Sequence, residues 1–406
     1  MKNLNKESSV LIATFSPHQK GKRLPTNGMI EPLLSFLGQK VGKIVLLDQP
    51  YPGSDALVPF VEIYNNGKLV NSRRSSIFLY FLYPFLKVVN YDATHIAFKI
   101  RDFFSVLDCG LKAKTRFDIF IGLEAINALA GIGLKKLGRV ETVIYYVSDY
   151  SPTRYTLGWF NNLYVLLDRF VATHCDFIWD VSKAMMPGRI KAGLDPKKAA
   201  HVIHVPNALF PEQINYLQNA KIIPDSLVFV GSLGKENGPD LAIKTVQLVI
   251  KTIPQVKLHI YGDGESDVAR IKKLTAKLQL TDKVIFHGFV SDQVVLSNKI
   301  SQYAIGLAPY LALSDSPRWW ADATKIRLYL GCGIPVVTTQ VPPLGKEIEG
   351  KAGLVAKDTP KDQARAIIHV LTDKSLRKKF KTNAKKMAKN NIWENTYAQA
   401  IKQMLS

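Results

Sequence analysis

Short β-branched runs alternate with helix-length segments along the whole chain, and few folds accept such a pattern. Strand signals fall at residues 9–15, 43–48, 119–122, 142–148, 177–181 and 202–205. They restart at 227–231, 257–261, 284–286, 303–308, 335–339 and 353–355. Strands separated by helices pair in parallel, so an α/β fold with doubly wound sheets is expected. At 406 residues the chain exceeds what one core usually supports, and the restart predicts two Rossmann-like domains. A Pro- and Asn-bearing stretch at 206–225 marks the join. Ligands of such sheets sit outside the carboxyl ends of the strands, which puts the expected active site in the cleft between the domains.

Hydrophobic residues at 47% and charged residues at 21% describe a chain that folds rather than a disordered one. Cys109, Cys175 and Cys332 have no metal-ligand spacing and are too few for a disulfide framework, so they are expected as core residues of a protein in a reducing, cytosolic compartment. The start of the chain reads as a first strand, its apolar segment being too short for a secretion signal. The longest apolar run, 77–86, contains Pro84 and falls short of the roughly 20 residues a span needs. The net charge is +21, divided as +10 up to Val205 and +11 beyond. No single basic tail explains it; a generally positive surface attracts phosphates of nucleic acids, anionic lipids or sugar nucleotides.

The run TKIRLYLGCGIPVVTT, 324–339, combines helical spacing of Ile326, Tyr329 and Leu330 with a stop at Gly333 and a β-branched strand after Pro335. The helix start, with Thr324, Lys325 and free backbone amides, suits a diphosphate; the other reading is an ordinary helix-to-strand joint. Upstream, strand LVFVG exits into Gly231-Ser232-Leu233-Gly234-Lys235, where Ser232 and Lys235 can donate to phosphate oxygens. The next two strands exit at Gly262-Asp263-Gly264 and His287-Gly288. Each is a tight turn when taken alone, whereas glycine exits converging on Lys325 predict a bound ligand.

The ordered set GSLGKENG, LHIYGDG, VIFHGFV, TKIRLYLGCGIPVV, a basic helix after Leu371 and the closing IWENTYAQ resembles the GT-B glycosyltransferases, especially the retaining group-one members. The resemblance implies a first, acceptor-binding domain, 1–205 with 391–406, and a second domain, 206–390, that binds the nucleotide sugar. The Trp393–Glu394 pair matches the family's terminal helix, which crosses back onto the first domain. Gly231, Ser232, Lys235, Gly262, Asp263, His287, Gly288, Thr324 and Lys325 are the implied donor-binding residues. The chain departs from the family at Ser232, where an arginine is usual, at Asn237, near the usual lysine, and at Leu328, where a ribose-binding glutamate is usual. Arg318, Asp322, Thr324 and Arg327 are the nearby polar candidates for that role.

In the first half, Asp149 follows the strand TVIYYVS beside Arg154, Tyr150 and Tyr155, as either a base for a sugar hydroxyl or a cap of the turn at Pro152. Glu124 holds an equivalent strand exit, as a second base or a helix cap. The loop after the first strand offers His18, expected as a solvated loop residue rather than a catalyst; His18, Lys20, Gly28 and Arg154 are the acceptor- or phosphate-loop candidates, with Lys22 and Arg23 beside Lys20 as further phosphate contacts. Residues 72–91 join Arg73, Arg74 and Lys87 to many aromatics, as either a membrane-interface segment or a buried helix. Residues 374–389 carry eight positive charges and no acid, as a solvated helix face or a membrane-facing one.

Together these features predict a cytosolic, peripherally membrane-associated glycosyltransferase acting on lipid-linked glycans or surface-polysaccharide precursors. No cofactor is expected beyond the sugar nucleotide, no metal because no DxD-like pair or His cluster is seen, and no nucleic-acid partner. With Asp149 as base the enzyme would invert, whereas the resemblance implies retention. A sugar-nucleotide 2-epimerase and a non-catalytic phosphoglycan or nucleic-acid binder are the alternatives on the same fold.

Overall fold

The computed structural model describes residues 4–19, 22–23, 28–75, 96–216 and 221–406. It divides into two compact units, Met1–Pro206 with Thr396–Ser406, and Asn207–Asn395. In unit 1 the described elements are β1 (Ser9–Ser16), β2 (His18–Gln19), β3 (Lys22–Arg23), α1 (Ile30–Lys40), β4 (Lys43–Pro50), β5 (Phe60–Asn65), β6 (Lys68–Arg74), α2 (Ile96–Lys112), β7 (Phe117–Leu123), α3 (Glu124–Lys136), β8 (Val140–Val147), α4 (Gly158–His174), β9 (Phe177–Asp180), α5 (Met185–Lys191) and β10 (His201–His204). Unit 2 runs β11 (Ser226–Val230), α6 (Pro239–Val249), β12 (Lys257–Tyr261), α7 (Glu265–Lys277), β13 (Val284–Gly288), α8 (Gln293–Ile300), β14 (Ile305–Ala308), α9 (Thr324–Gly331), β15 (Val336–Thr339), α10 (Pro343–Ile348), β16 (Gly353–Ala356), α11 (Pro360–Thr372) and α12 (Lys374–Asn390), before the C-terminal α13 (Trp393–Leu405).

The sheet of unit 2 has the order β13-β12-β11-β14-β15-β16, every pair parallel. Its strands read as continuous apolar runs because helices cover both faces; β11 and β14 are buried throughout. The strand order reverses between β11 and β14, so their carboxyl ends diverge and leave a crevice.

Unit 1 repeats the scheme over β10-β9-β8-β7-β1-β4, with its reversal between β1 and β7. All six expected parallel strands are present. The sheet then continues through β5 and β6, which pair antiparallel and were not anticipated. Their signal was legible: Asn66 and Gly67 both take positive φ (48° and 78°), as a two-residue hairpin of Asn-Gly requires. β6 is exposed along its whole length and carries Lys68, Arg73 and Arg74, which protects the sheet edge from further pairing. Arg73 and Arg74 thus belong to an edge strand, while residues 76–91 of the expected aromatic segment lie outside the described residues.

Near its start, α13 is tied to unit 2 by the Trp393 N–H donating to Leu209 O (3.2 Å). Farther along, in unit 1, the buried Tyr397 hydroxyl donates to Met29 O (2.9 Å). All three cysteines are free and buried, and burial pushes each thiol up to about 12. Among the described residues no helix is long and apolar enough to cross a membrane.

Candidate functional site

The crevice of unit 2 is held open by one hydroxyl. Tyr329 of α9 reaches between the diverging strands, accepting from the Val230 N–H (2.9 Å) and donating to Leu307 O (3.1 Å). It supplies the partners that the two strands cease to give one another after Phe229 and Leu307. The helical spacing that marked Tyr329 as a core residue also placed this polar tip.

One turn earlier on α9 stands Lys325, 7% exposed, whose Nζ lies 4.1 Å from the Phe229 ring centroid and 4.7 Å from that of Tyr310. The ammonium has ring faces for company but no hydrogen-bond partner. Burial lowers its pKa to about 7, helped by the nearby charge of Arg318 and opposed by Glu236. Arg318, from the short 3-10 turn Pro317–Trp319, also has its Nε buried without a partner. The Arg318 side chain is about one-third exposed and its Nη2 lies 4.0 Å from Glu236 Oε1, so Lys325 is the one fully buried cation of the pair, and its unused donors suit an anion. Arg318 lies seven residues before Lys325 with no periodicity linking them, so the sequence marked it only as one of several polar neighbours.

The glycine exits assemble beside Lys325 as expected in part. The Gly231 N–H donates to Tyr261 O (2.9 Å) and the Gly262 N–H to Gly288 O (3.1 Å), which sets the three exits side by side. At Gly262 a Cβ would meet Gly231 O at 2.1 Å, so this approach needs glycine. Of the three, Gly231 adjoins Lys325: a Cβ there would lie 3.5 Å from the lysine Cε.

Several expected donors are exposed or already have partners within the protein. Three of the four first-turn amides of α9 are engaged: the Thr324 N–H donates to Asp322 O (3.1 Å), and the Ile326 and Arg327 N–H groups to Ala323 O (3.0 and 3.4 Å). Thr324 and Lys235 are exposed, and Ser232 Oγ accepts from the Gly234 N–H (3.3 Å). Asp263 Oδ1 accepts from the Gly264 N–H (2.7 Å), closing its own turn. His287 stacks on Tyr261 at 4.3 Å and shares a 3.0 Å hydrogen bond with His259. Burial and Lys299 lower the His287 pKa, and burial, His287 and Lys257 bring His259 down to about 4, so both rings are neutral at pH 7. Asp322 and Arg327 pair with one another (2.6 and 2.8 Å), and Asp322 also accepts from the Asn207 N–H (2.9 Å), which fixes the start of α9.

Unit 1 places a carboxyl at its own reversal. Glu124 follows β7 directly with φ +65°, a left-handed backbone that is rare outside glycine and asparagine. Its Oε1 accepts from Ser148 Oγ (2.8 Å), and Oε2 lies 3.8 Å from Arg154 Nη1. Burial raises the Glu124 pKa, Arg154 opposes this, and Asp149 adds to it. Arg154 Nη1 is also 3.6 Å from Asp149 Oδ2 and donates to the Asp149 carbonyl, so one guanidinium gathers both candidate bases. Asp149 is half exposed. Tyr155 stays beside Arg154 at a pocket of about 490 Å³, but Tyr150 turns into the core under Arg189 (4.8 Å).

The loop after β1 differs from expectation. His18 is not solvated: it is buried in β2, its Nε2 3.0 Å from Asp48 Oδ2 and its ring stacked on Phe60 at 4.9 Å. Arg23 lies within 3.8 Å of Glu31, Asp48 and Glu62, a carboxylate-rich setting that disfavours phosphate. Gly28 is an exposed turn residue with φ +55°, and Lys20 lies outside the described residues. Among the described residues no three His, Cys, Asp or Glu side chains converge as a metal site.

Residues 224–373 match the family described as glycosyl transferases group 1, so unit 2 carries a domain of that family. The chain is 30% identical over 171 residues to poly(glycerol-phosphate) alpha-glucosyltransferase of Bacillus subtilis, a match covering 40% of this chain and 24% of that protein. It therefore spans about a quarter of that relative's length. Sucrose-phosphate synthase of Thermosynechococcus elongatus superposes with a TM-score of 0.72 at 14% identity, covering 97% of this chain and 99% of that one. Anabaena HepE, solved in complex with UDP-glucose, gives 0.64 at 15% identity over 98% and 99%. The fold is thus GT-B.

Proposed function

We propose that the protein is a glycosyltransferase moving a sugar from a nucleoside diphosphate sugar to a hydroxyl of a lipid-linked glycan or surface-polysaccharide precursor, at the cytosolic face of a membrane. The observation that carries this reading is Lys325, a buried ammonium without a hydrogen-bond partner, set beside Gly231 where the strand order reverses. The group 1 match over 224–373 and the UDP-glucose bound by HepE support a sugar nucleotide as the anion.

Unit 2 holds the donor. Lys325 and Arg318 take the charge that develops on the leaving diphosphate, a stabilisation that matters most when water is excluded. Glycine exits let the backbone approach the phosphates, and no cofactor is called for. Unit 1 receives the acceptor, with Arg154 orienting Asp149 and Glu124 toward its hydroxyl. The raised pKa of Glu124 brings it toward the range in which a carboxylate accepts a proton effectively near neutral pH.

Calorimetry with UDP, GDP and ADP, with UDP-glucose and other sugar nucleotides in a thermal-shift panel, tests the reading. Nucleotide-specific binding that Lys325→Ala weakens, with slow donor hydrolysis in the absence of acceptor, supports a transferase. Interconversion of sugar epimers would instead make it an epimerase. No nucleotide binding at all would make the fold a binder of another kind.

A further inference from the structure

The face of unit 1 beside Glu124 is unlike a protein surface that meets only water. Ile100 and Phe104 of α2, with Trp159 and Leu163 of α4, are between 42% and 57% exposed, yet all four line one concave pocket of about 490 Å³. Large apolar side chains gathered around a cavity of this size mark a ligand site, since ligand pockets run to about 300–1,000 Å³. The charged residues lining it are Lys99, Arg154 and Glu124. Two cations against one carboxylate leave this lining net positive between its apolar walls. A peptide helix or a second copy of the chain would need a broad face. An apolar cavity of about 490 Å³ with cations among its lining fits an alkyl chain carrying an anionic head.

We infer that this pocket binds the hydrocarbon chain of a phosphate-bearing amphiphile, with Lys99 receiving the phosphate. The inference deepens the proposed function, on which its biological meaning rests, by giving the lipid-linked acceptor a place in unit 1.

Calorimetry on the full chain with octyl, decyl and dodecyl phosphate, each below its micelle concentration, tests it without any turnover. One equivalent should bind, with affinity rising about fourfold per methylene as the chain enters an apolar wall. Leu163→Asp or Ile100→Asp should weaken decyl phosphate at least tenfold; both positions are exposed, and circular dichroism checks the fold. If either variant misfolds, Trp159→Ala should still cost severalfold. Lys99→Gln should reduce the preference for decyl phosphate over decanol. Affinity indifferent to chain length, affinity unchanged in the folded variants, or binding only to phosphatidylglycerol vesicles would overturn the inference. Chain-dependent binding in a protein that transfers no sugar would break the transferase reading and leave the pocket standing.

Discussion

Each of the two sheets reverses its strand order once, and each reversal holds a buried ionisable side chain, but the signs are opposite. Unit 2 presents Lys325 and unit 1 presents Glu124. Burial disfavours the charged form in both, lowering the lysine and raising the glutamate. The surroundings differ. Lys325 has ring faces and no hydrogen-bond partner, so its missing counter-charge must come from outside. Glu124 already has Ser148 and Arg154, and is kept ready by neighbours rather than by vacancy. One fold can therefore build a receptor for an anion and a proton acceptor from the same strand geometry, by choosing which group is left unpaired.

The strongest way to break this comparison is to remove the proton-accepting function of unit 1. If Asp149 or Glu124 acts as the base, its amide variant keeps the shape and loses the proton, and acceptor-dependent turnover should fall by about 10²–10⁴-fold, or roughly 3–5 kcal/mol. Donor affinity should be unchanged in both Asp149→Asn and Glu124→Gln, because unit 2 holds the nucleotide. Measuring both variants decides which carboxyl is the base, and the anomeric configuration of the product separates base from positioning group. Near-normal turnover in both would reduce the Arg154 cluster to a structural role.

The receptor in unit 2 is tested by Lys325→Ala, which should weaken UDP by about 1–3 kcal/mol, the scale of a charge-assisted hydrogen bond lost. The helix should persist because alanine is the better helix former. A smaller loss, about 1 kcal/mol of stability, is expected for Tyr329→Phe, which strands the Val230 N–H between the diverging strands. Chemical denaturation of the variant checks it; an unchanged midpoint would mean that water replaces the hydroxyl.

Much of this was legible in the sequence, for reasons that can be stated residue by residue. Parallel strands are local apolar runs, so all twelve were visible, and Gly231, Gly262 and Lys325 stood out because close backbone approach and anion binding demand special residues. What was not legible depended on contacts between distant residues. His18 looked like a loop residue until Asp48, thirty positions away, proved to be its partner. The Thr324, Ile326 and Arg327 amides looked free because the short turn that engages them has no sequence signal. Arg318 was one polar residue among several, and only the fold shows its charge beside Lys325. The β5–β6 hairpin is different: Asn66-Gly67 announced it, and the expectation of a purely parallel sheet obscured the turn.

The finest distinction between the two sites is their response to pH. With a pKa near 7 instead of 10.5, free Lys325 is mostly neutral at pH 8. A bound diphosphate restores the charge, so at pH 8 binding should take up close to one proton per nucleotide, and at pH 6 much less, because the lysine is already protonated. UDP affinity should fall by up to about tenfold per pH unit above 7, relative to Lys325→Met, in which this dependence is absent. Stability carries the same signature in the unliganded protein. The unfolded chain holds the lysine proton up to about pH 10.5 and the folded chain only to about 7, so this group's contribution rises with pH through that window and is lost as pH falls through 7. Calorimetry in buffers of different ionisation enthalpy reads the proton count directly. A count near zero at pH 8 with binding intact would show that Lys325 stays charged when free, and that unit 2 already supplies the counter-charge assigned here to the ligand.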